Sequence, residues 1–283
     1  MVNVSIVIPA YNEQDSIEKT IQEIKEVLSK SKNKYEIIIV NDGSKDNTSE
    51  ILKSIKNIIV INHPYNKGYG ASIKTGIKNS KYDWILVTDS DGTYPIKDIP
   101  KLIFYTENYD MIIGARKKDN IPLFRKPAKA FLSLLANFLT NRKIPDLNSG
   151  FRIFKKDLAL RFFNIFPSGF SFTTTITLAA LTNEYNVKFV PIDYYKRQGR
   201  SKIKPKEFIN FFVLILRIIT YFEPIKIFSL ISLILFLIAT IIFIYTAYFI
   251  GKIADITVIV ILLASIQIFL FGLIADMIAR KRS

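Results

Sequence analysis

The chain of 283 residues has no cysteine and a single histidine. Without thiols there is no disulfide framework and no thiolate chemistry. One imidazole cannot build a histidine-based zinc centre. That residue, His63, falls in a predicted loop and reads as a surface or loop side chain, not a catalytic base. Acidic residues are also in the minority, 24 against 39 lysines and arginines, which leaves a net charge of +15. The basic residues form no recognisable nucleic-acid module, so nucleic acid is not the expected partner. Anionic lipid headgroups match that charge better.

Charge of either sign is missing from Ile227 to Ile250 and again from Ile256 to Ala275. Each run meets the roughly 20 apolar residues that a helix needs to cross a bilayer. Two such runs, separated only by Gly251–Asp255, predict antiparallel membrane spans with a tight turn between them. Both chain ends then lie on one side, and Arg280-Lys-Arg282 places that side in the cytoplasm. The first run comes too late for a signal peptide, and the chain opens directly into a strand pattern. There is no internal repeat.

Before the spans, apolar runs and helical periods alternate. Val4–Ile8, Glu36–Val40, Ile58–Ile61, Trp84–Val87 and Met111–Ile113 read as strands. Ile17, Ile21, Ile24 and Leu28 repeat at helical spacing between the first two. Asp46 or Asn47 caps the helix after the second. This alternation predicts an α/β fold with a mainly parallel sheet flanked by helices. In such sheets ligands bind beyond the carboxyl ends of the strands. Three polar clusters each follow a strand directly: Tyr11–Glu13, Asn41–Ser44 and Asp89–Asp91. All three are therefore expected on one edge. Asp89 and Asp91 are two residues apart, so an extended chain aims both carboxylates at one point. Paired carboxylates suit Mg²⁺ or Mn²⁺, whereas a solvated turn is the plainer reading of the same residues. Gly68 and Gly70 match no dinucleotide fingerprint, so a nicotinamide cofactor is not expected.

Beyond Arg116 the character changes. Ile121–Arg142 mixes phenylalanines and leucines with Arg125, Lys126 and Lys129. That pattern suits a helix at a membrane surface, or equally one packed on the sheet. Asp146-Leu-Asn-Ser-Gly-Phe-Arg152 and a helix-rich stretch follow, and Val187–Val190 reads as a further strand. Arg197-Gln-Gly-Arg-Ser-Lys202 is a basic loop placed for phosphate contact. Pro205–Glu223 is a second amphipathic segment that leads into the first span. The expected division is a catalytic domain over 1–203, a juxtamembrane helix over 204–225 and a two-helix hairpin over 226–283.

These residues resemble the family 2 glycosyltransferases, and within them the polyprenyl-phosphate (dolichyl-phosphate) hexose synthases. The resemblance covers about residues 2–210 and rests on an ordered set of motifs. Val7-Ile-Pro-Ala-Tyr-Asn-Glu13 is similar to the nucleotide-binding opening. Asn41-Asp-Gly-Ser44 resembles an acidic motif, with Asn41 in place of its first carboxylate. Asn66–Gly76 resembles a glycine-bearing stretch, and Asp89-Ser-Asp91 the metal-binding pair. Asp146–Arg152 and Arg197–Lys202 resemble late motifs of the lipid-phosphate branch. Thr93 stands where many members carry glutamine, and either Arg125 or Lys129 corresponds to a basic residue of an interfacial helix. The QxxRW signature of processive synthases is absent.

The resemblance implies a glycosyltransferase A-type fold, a nucleotide-sugar donor, a polyprenyl (dolichyl) phosphate acceptor and Mg²⁺ or Mn²⁺. It implies that Asp89 and Asp91 hold the metal, and that Pro9, Ala10, Tyr11, Glu13, Asp42 and Asp89 seat the nucleotide. It implies that Arg116, Arg197 and Lys202 hold the acceptor phosphate. A phosphate monoester, with a second pKa near ~6, is already an anionic nucleophile and needs no general base. Two rivals are a related enzyme acting on a hydroxyl, with Asp146 the one candidate base, and a non-catalytic nucleotide-sugar-binding membrane protein.

Overall fold

A computed structural model describes residues 2–31, 33–117, 126–169, 171–195, 220–250 and 256–282. The chain divides into two compact units, Met1–Lys204 and Pro205–Ser283. Arg125, Arg197, Lys202 and most of the 204–225 segment lie outside the described residues, as does the side chain of Lys129.

In the first unit seven strands form one sheet in the order β3-β2-β1-β4-β6-β5-β7. They are β1 (Val4–Ala10), β2 (Tyr35–Asn41), β3 (Ile59–Asn62), β4 (Trp84–Val87), β5 (Met111–Arg116), β6 (Arg152–Lys155) and β7 (Val187–Ile192). The central strands are almost wholly apolar because both faces are covered, as a parallel sheet between helices requires. Every pairing is parallel except those of β6, which runs against both β4 and β5. Sequence reading did not anticipate β6. Arg-Ile-Phe-Lys is short and charged at both ends, so alternation gives it no strand signature.

The helices of this unit are α1 (Ile17–Ser29), α2 (Thr48–Ser54), α3 (Tyr69–Asn79), α4 (Ile99–Phe104), α5 (Lys126–Thr140), α6 (Lys156–Arg161) and α7 (Phe172–Thr182). Ile17, Ile21, Ile24 and Leu28 of α1 join Ile6, Ile8, Ile37, Ile39, Leu86, Ile112 and Ile153 in one buried core. On the opposite face α3 packs on β1 and β2. It can do so because residue 76 is glycine: a Cβ there would fall 2.2 Å from Val7 Cγ1. Asp46, not Asn47, supplies the side-chain oxygen that caps α2, accepting from Thr48 N at 3.1 Å. Helix α5 buries Leu135, Ala136 and Leu139 and packs on α7, while Leu134 and Phe138 stay exposed.

The second unit holds α8 (Pro224–Tyr245), continued through Thr246–Ile250 in π geometry, and α9 (Ile256–Arg282). Both are long and apolar enough to cross a membrane. Ser232 Oγ donates to Ser265 O at 2.9 Å, and Gly272 lies against Phe228. These pairings run in opposite directions along the two helices, so the hairpin is antiparallel. Small residues and a hydroxyl at the contact let two apolar helices approach closely.

Candidate active site

All the parallel strands end on one edge, and β6, running the other way, begins there. That edge collects the segments after Ala10, Asn41, Asn62, Val87 and Arg116, together with the stretch Asp146–Phe151 that enters Arg152. The polar clusters expected together are together.

At the β1–β2–β3 end lies a cleft of about 550 Å³ whose walls include Tyr11, Asn41, Ser44, His63 and Tyr65. Two loops close on each other to form it. Asn12, at a φ of 53°, donates its amide N–H to Ser44 Oγ at 3.0 Å and accepts from Lys45 N at 2.7 Å. Gly43, at a φ of 69°, approaches Tyr65 so closely that a Cβ would sit 2.7 Å from its carbonyl carbon. Pro9 and Ala10 are buried and contribute carbonyls: Ser90 Oγ donates to Pro9 O at 3.1 Å, and Asp42 N to Ala10 O at 2.8 Å. The carbonyl of Glu13 starts α1 by accepting from Ile17 N at 3.0 Å.

The Asp42 side chain is buried and serves the loop after β3. Its carboxylate accepts from Lys67 N at 2.9 Å, Gly68 N at 2.8 Å and His63 Nδ1 at 2.7 Å. A carboxylate only accepts, so Nδ1 is the donor, and Nε2 meets Thr75 Oγ1 at 2.9 Å. His63 is thus a loop residue, as expected, but a buried one. Its ring ties α3 to Asp42.

Asp89 and Asp91 extend past the end of β4. Ser90 between them turns inward, its carbonyl accepting from Thr20 Oγ1 at 3.3 Å. Asp91 is buried and accepts from the Thr93 hydroxyl at 2.6 Å and the Thr93 amide at 3.2 Å. Thr93, where a glutamine was the family expectation, therefore orients an acid. Asp89 is half-buried and accepts from Tyr69 OH at 2.9 Å. Burial, then the charge of Asp89, pushes the Tyr69 pKa well above its ordinary value, so it remains a donor. Glycine at 150 leaves room for the Asp89 carboxylate. A Cβ would fall 2.9 Å from Asp89 Oδ1 and 3.1 Å from Oδ2.

Across from this pair, Arg116 and Asp146 form a two-pronged ion pair. Arg116 Nε donates to Asp146 Oδ2 at 2.6 Å and Nη2 to Oδ1 at 2.9 Å. Burial alone would push the Asp146 carboxyl up; the hydrogen bond and charge of Arg116 overcome this and hold it below the usual carboxylate range. The guanidinium also lies 5.2 Å from the Tyr194 ring centroid. Tyr94 stacks on Phe151, meets Tyr194 edge-on, and accepts from Gly150 N at 2.8 Å. Burial raises the Tyr94 pKa, and the charges of Asp89 and Arg116 both reach it. Its hydroxyl meets the Gly150 amide, and its ring meets Tyr194, over which Arg116 lies.

Tyr69, Tyr94, Thr93 and Gly150 were not picked out as site residues from sequence. Gly150 carried a signal, since Asp146–Arg152 stood out as a motif; the two tyrosines carried none. Among the described residues no three acidic or histidine side chains converge on one point. Two carboxylates, one seated against Gly150 and one held by Thr93, are the candidate ligands. This oxygen-only set fits Mg²⁺ or Mn²⁺, which take one or two carboxylates and complete their shell with water and substrate phosphate.

The profile described as "Glycosyl transferase family 2" matches residues 5–163, and that described as "GtrB C-terminal hairpin" matches residues 223–280. A dolichyl-phosphate beta-glucosyltransferase, ALG5D of Trichomonas vaginalis, is 27% identical over 244 residues, covering 78% of this chain and 74% of its own. An undecaprenyl-phosphate 4-deoxy-4-formamido-L-arabinose transferase of Yersinia pestis is 28% identical over 236 residues, covering 81% and 71%. In fold, the chain is similar to glucosyl-3-phosphoglycerate synthase from Mycobacterium tuberculosis in complex with Mn²⁺, UDP-glucose and phosphoglyceric acid. The TM-score is 0.60 at 16% identity, covering 77% of this chain and 79% of that one. The first profile runs from β1 through β6 and over more than half the sequence: the chain belongs to glycosyl transferase family 2.

Proposed function

We propose that this chain is a membrane-held, inverting hexosyltransferase that moves a sugar from a nucleoside-diphosphate donor to a polyprenyl (dolichyl) phosphate. The observation that carries this reading is the state of Asp146. A hydroxyl acceptor needs a base whose pKa lies near the working pH. Asp146, the one candidate named for that task, is fastened to Arg116 and held below the ordinary carboxylate range. An acceptor that arrives already ionised has no such need. The names of the two curated relatives, both transferases to a polyprenyl phosphate, point the same way.

In this reading the cleft at Tyr11 receives the nucleoside, while Asp42 and His63 hold its wall. Pro9, Ala10 and Glu13 shape the opening through their backbone. Asp89 and Asp91 hold Mg²⁺ or Mn²⁺, which when bound stabilises negative charge on the departing diphosphate. Asp146 fixes the orientation of Arg116, whose guanidinium offers permanent positive charge to the acceptor phosphate. Arg197 and Lys202 join it there. A phosphate oxygen forms the new bond to the anomeric carbon as the bond to the nucleoside diphosphate breaks on the opposite side. Inversion follows from a single displacement.

The division proposed is a catalytic domain over 1–203, a juxtamembrane helix over 204–225 and a membrane hairpin over 226–283. Basic residues at the chain end favour catalytic domain and termini on the cytoplasmic face. The test uses purified full-length protein in detergent with labelled nucleotide sugars and Mn²⁺, offering either polyprenyl phosphate or the free polyprenol. Label should enter only the phosphate, and Asp91→Ala should abolish its transfer. Label in the polyprenol alone would overturn the proposal.

A further inference from the structure

Arg152 opens β6 and, among the described residues, heads the fully buried side chains in size. A guanidinium at such depth ordinarily sits against a carboxylate. Among the described residues this one does not; every acceptor it meets is neutral. Its Nε donates to Ser149 O at 2.9 Å, and Nη2 donates to the same carbonyl. Its Nη1 donates to Thr173 O at 3.0 Å and to Thr177 Oγ1 at 2.9 Å. Burial pushes its pKa down to about 10, which leaves it charged at neutral pH. A core is commonly served as well or better by an apolar side chain of similar volume than by a buried ion. The guanidinium must therefore be judged by what its fork holds.

The fork spans two elements. One end grips α7 through Thr173 and Thr177, and the other grips the carbonyl immediately before Gly150. Gly150 is the wall against which the Asp89 carboxylate rests, and its amide donates to Tyr94 OH. Ser149 is held through that carbonyl and not through its hydroxyl, which has no partner among the described residues. We propose that Arg152 is a positioning residue for the metal-binding acid. From inside the core it ties the Ser149–Gly150 strap to α7, and the strap fixes where Asp89 sits. The inference rests on the reading of Asp89 as a metal ligand.

The experiment uses full-length protein in detergent and measures Mn²⁺ binding in the presence of UDP by electron paramagnetic resonance. Thermal unfolding and the separate values of kcat and KM accompany it. Arg152→Met should weaken Mn²⁺ binding and lower kcat, each by about tenfold or more, the range known for residues that orient a metal's ligands. Arg152→Lys, which keeps the charge and loses the fork, should fall between. Thr177→Val removes one grip on α7 and should shift Mn²⁺ affinity in the same direction, with a lower Tm because the buried guanidinium loses an acceptor. Gly150→Ala, which crowds Asp89 from the other side of the strap, should weaken Mn²⁺ binding as well. If Arg152→Met does not fold, these last two variants decide. Mn²⁺ affinity and kcat unchanged in the folded variants, with only Tm altered, would overturn the inference alone. Failure of the wild type to bind Mn²⁺ would overturn the metal reading of Asp89 and the inference with it.

Discussion

At the scale of single residues, burial separates side chains that look alike in the sequence. Asp42, Asp89 and Asp91 all follow strands, yet Asp42 is buried against His63, Lys67 and Gly68 and Asp91 against Thr93, while Asp89 is half-buried beside Tyr69. The depth of His63 was missed for a related reason. A lone histidine in a loop gives no sign of depth, and only the fold reveals that Asp42 and Thr75 bracket its ring. His63→Ala should destabilise the protein by roughly 1–3 kcal/mol, because it leaves a buried carboxylate short of a donor. Urea unfolding measures this; an unchanged midpoint would show that water or a neighbour replaces the imidazole. The acid pair stood out in the sequence because two carboxylates closely follow an apolar run, although β4 itself ends at Val87 and strand spacing does not extend to them. Tyr69 and Tyr94 did not, since an aromatic hydroxyl at a helix start or in a turn resembles any core tyrosine.

At the scale of elements, the strands were readable from the apolar runs, with ends within two residues for β1–β4 and β7 and three for β5. The exception is β6. Its partners, not its composition, make it a strand: Ile153 and Phe154 fill a slot between β4 and β5. Helix α3 shows the opposite situation, where one residue sets the spacing of a whole layer. Gly76→Ala should cost about 1–3 kcal/mol, the usual penalty for overpacking, because the added methyl meets Val7. Thermal unfolding should register a lower Tm. Since α3 begins at Tyr69, Mn²⁺ affinity in the presence of UDP should weaken with it.

At the scale of the whole molecule, the ion pair that occupies Asp146 predicts the shape of a pH profile. Asp146, held below the ordinary carboxylate range by Arg116, is ionised at neutral pH and contributes no inflection there. The remaining acid limb belongs to the acceptor phosphate, which takes up its second proton near pH ~6. Transfer rate should therefore fall below about pH 6 and stay level toward pH 8. Asp146→Asn should lower the plateau without moving the midpoint; loss of the acid limb in that variant would restore Asp146 as a base. The two spans were the plainest message in the sequence, because uninterrupted apolar length leaves few alternatives. The hydrogen bond between Ser232 and Ser265 was not legible, since it depends on the rotation of each helix.

The reversed strand has a further implication. Because β6 meets its neighbours head to tail, Asp146–Phe151 reaches the reaction edge from the opposite direction to every other loop there. The cleft lies among the segments after β1, β2 and β3, whereas Asp146 and Gly150 arrive later, through a strand wedged in from the other side. The loops after β1, β2 and β3 and the stretch Asp146–Gly150 are thus separate pieces of chain, and they meet where Gly150 abuts Asp89 and Tyr69.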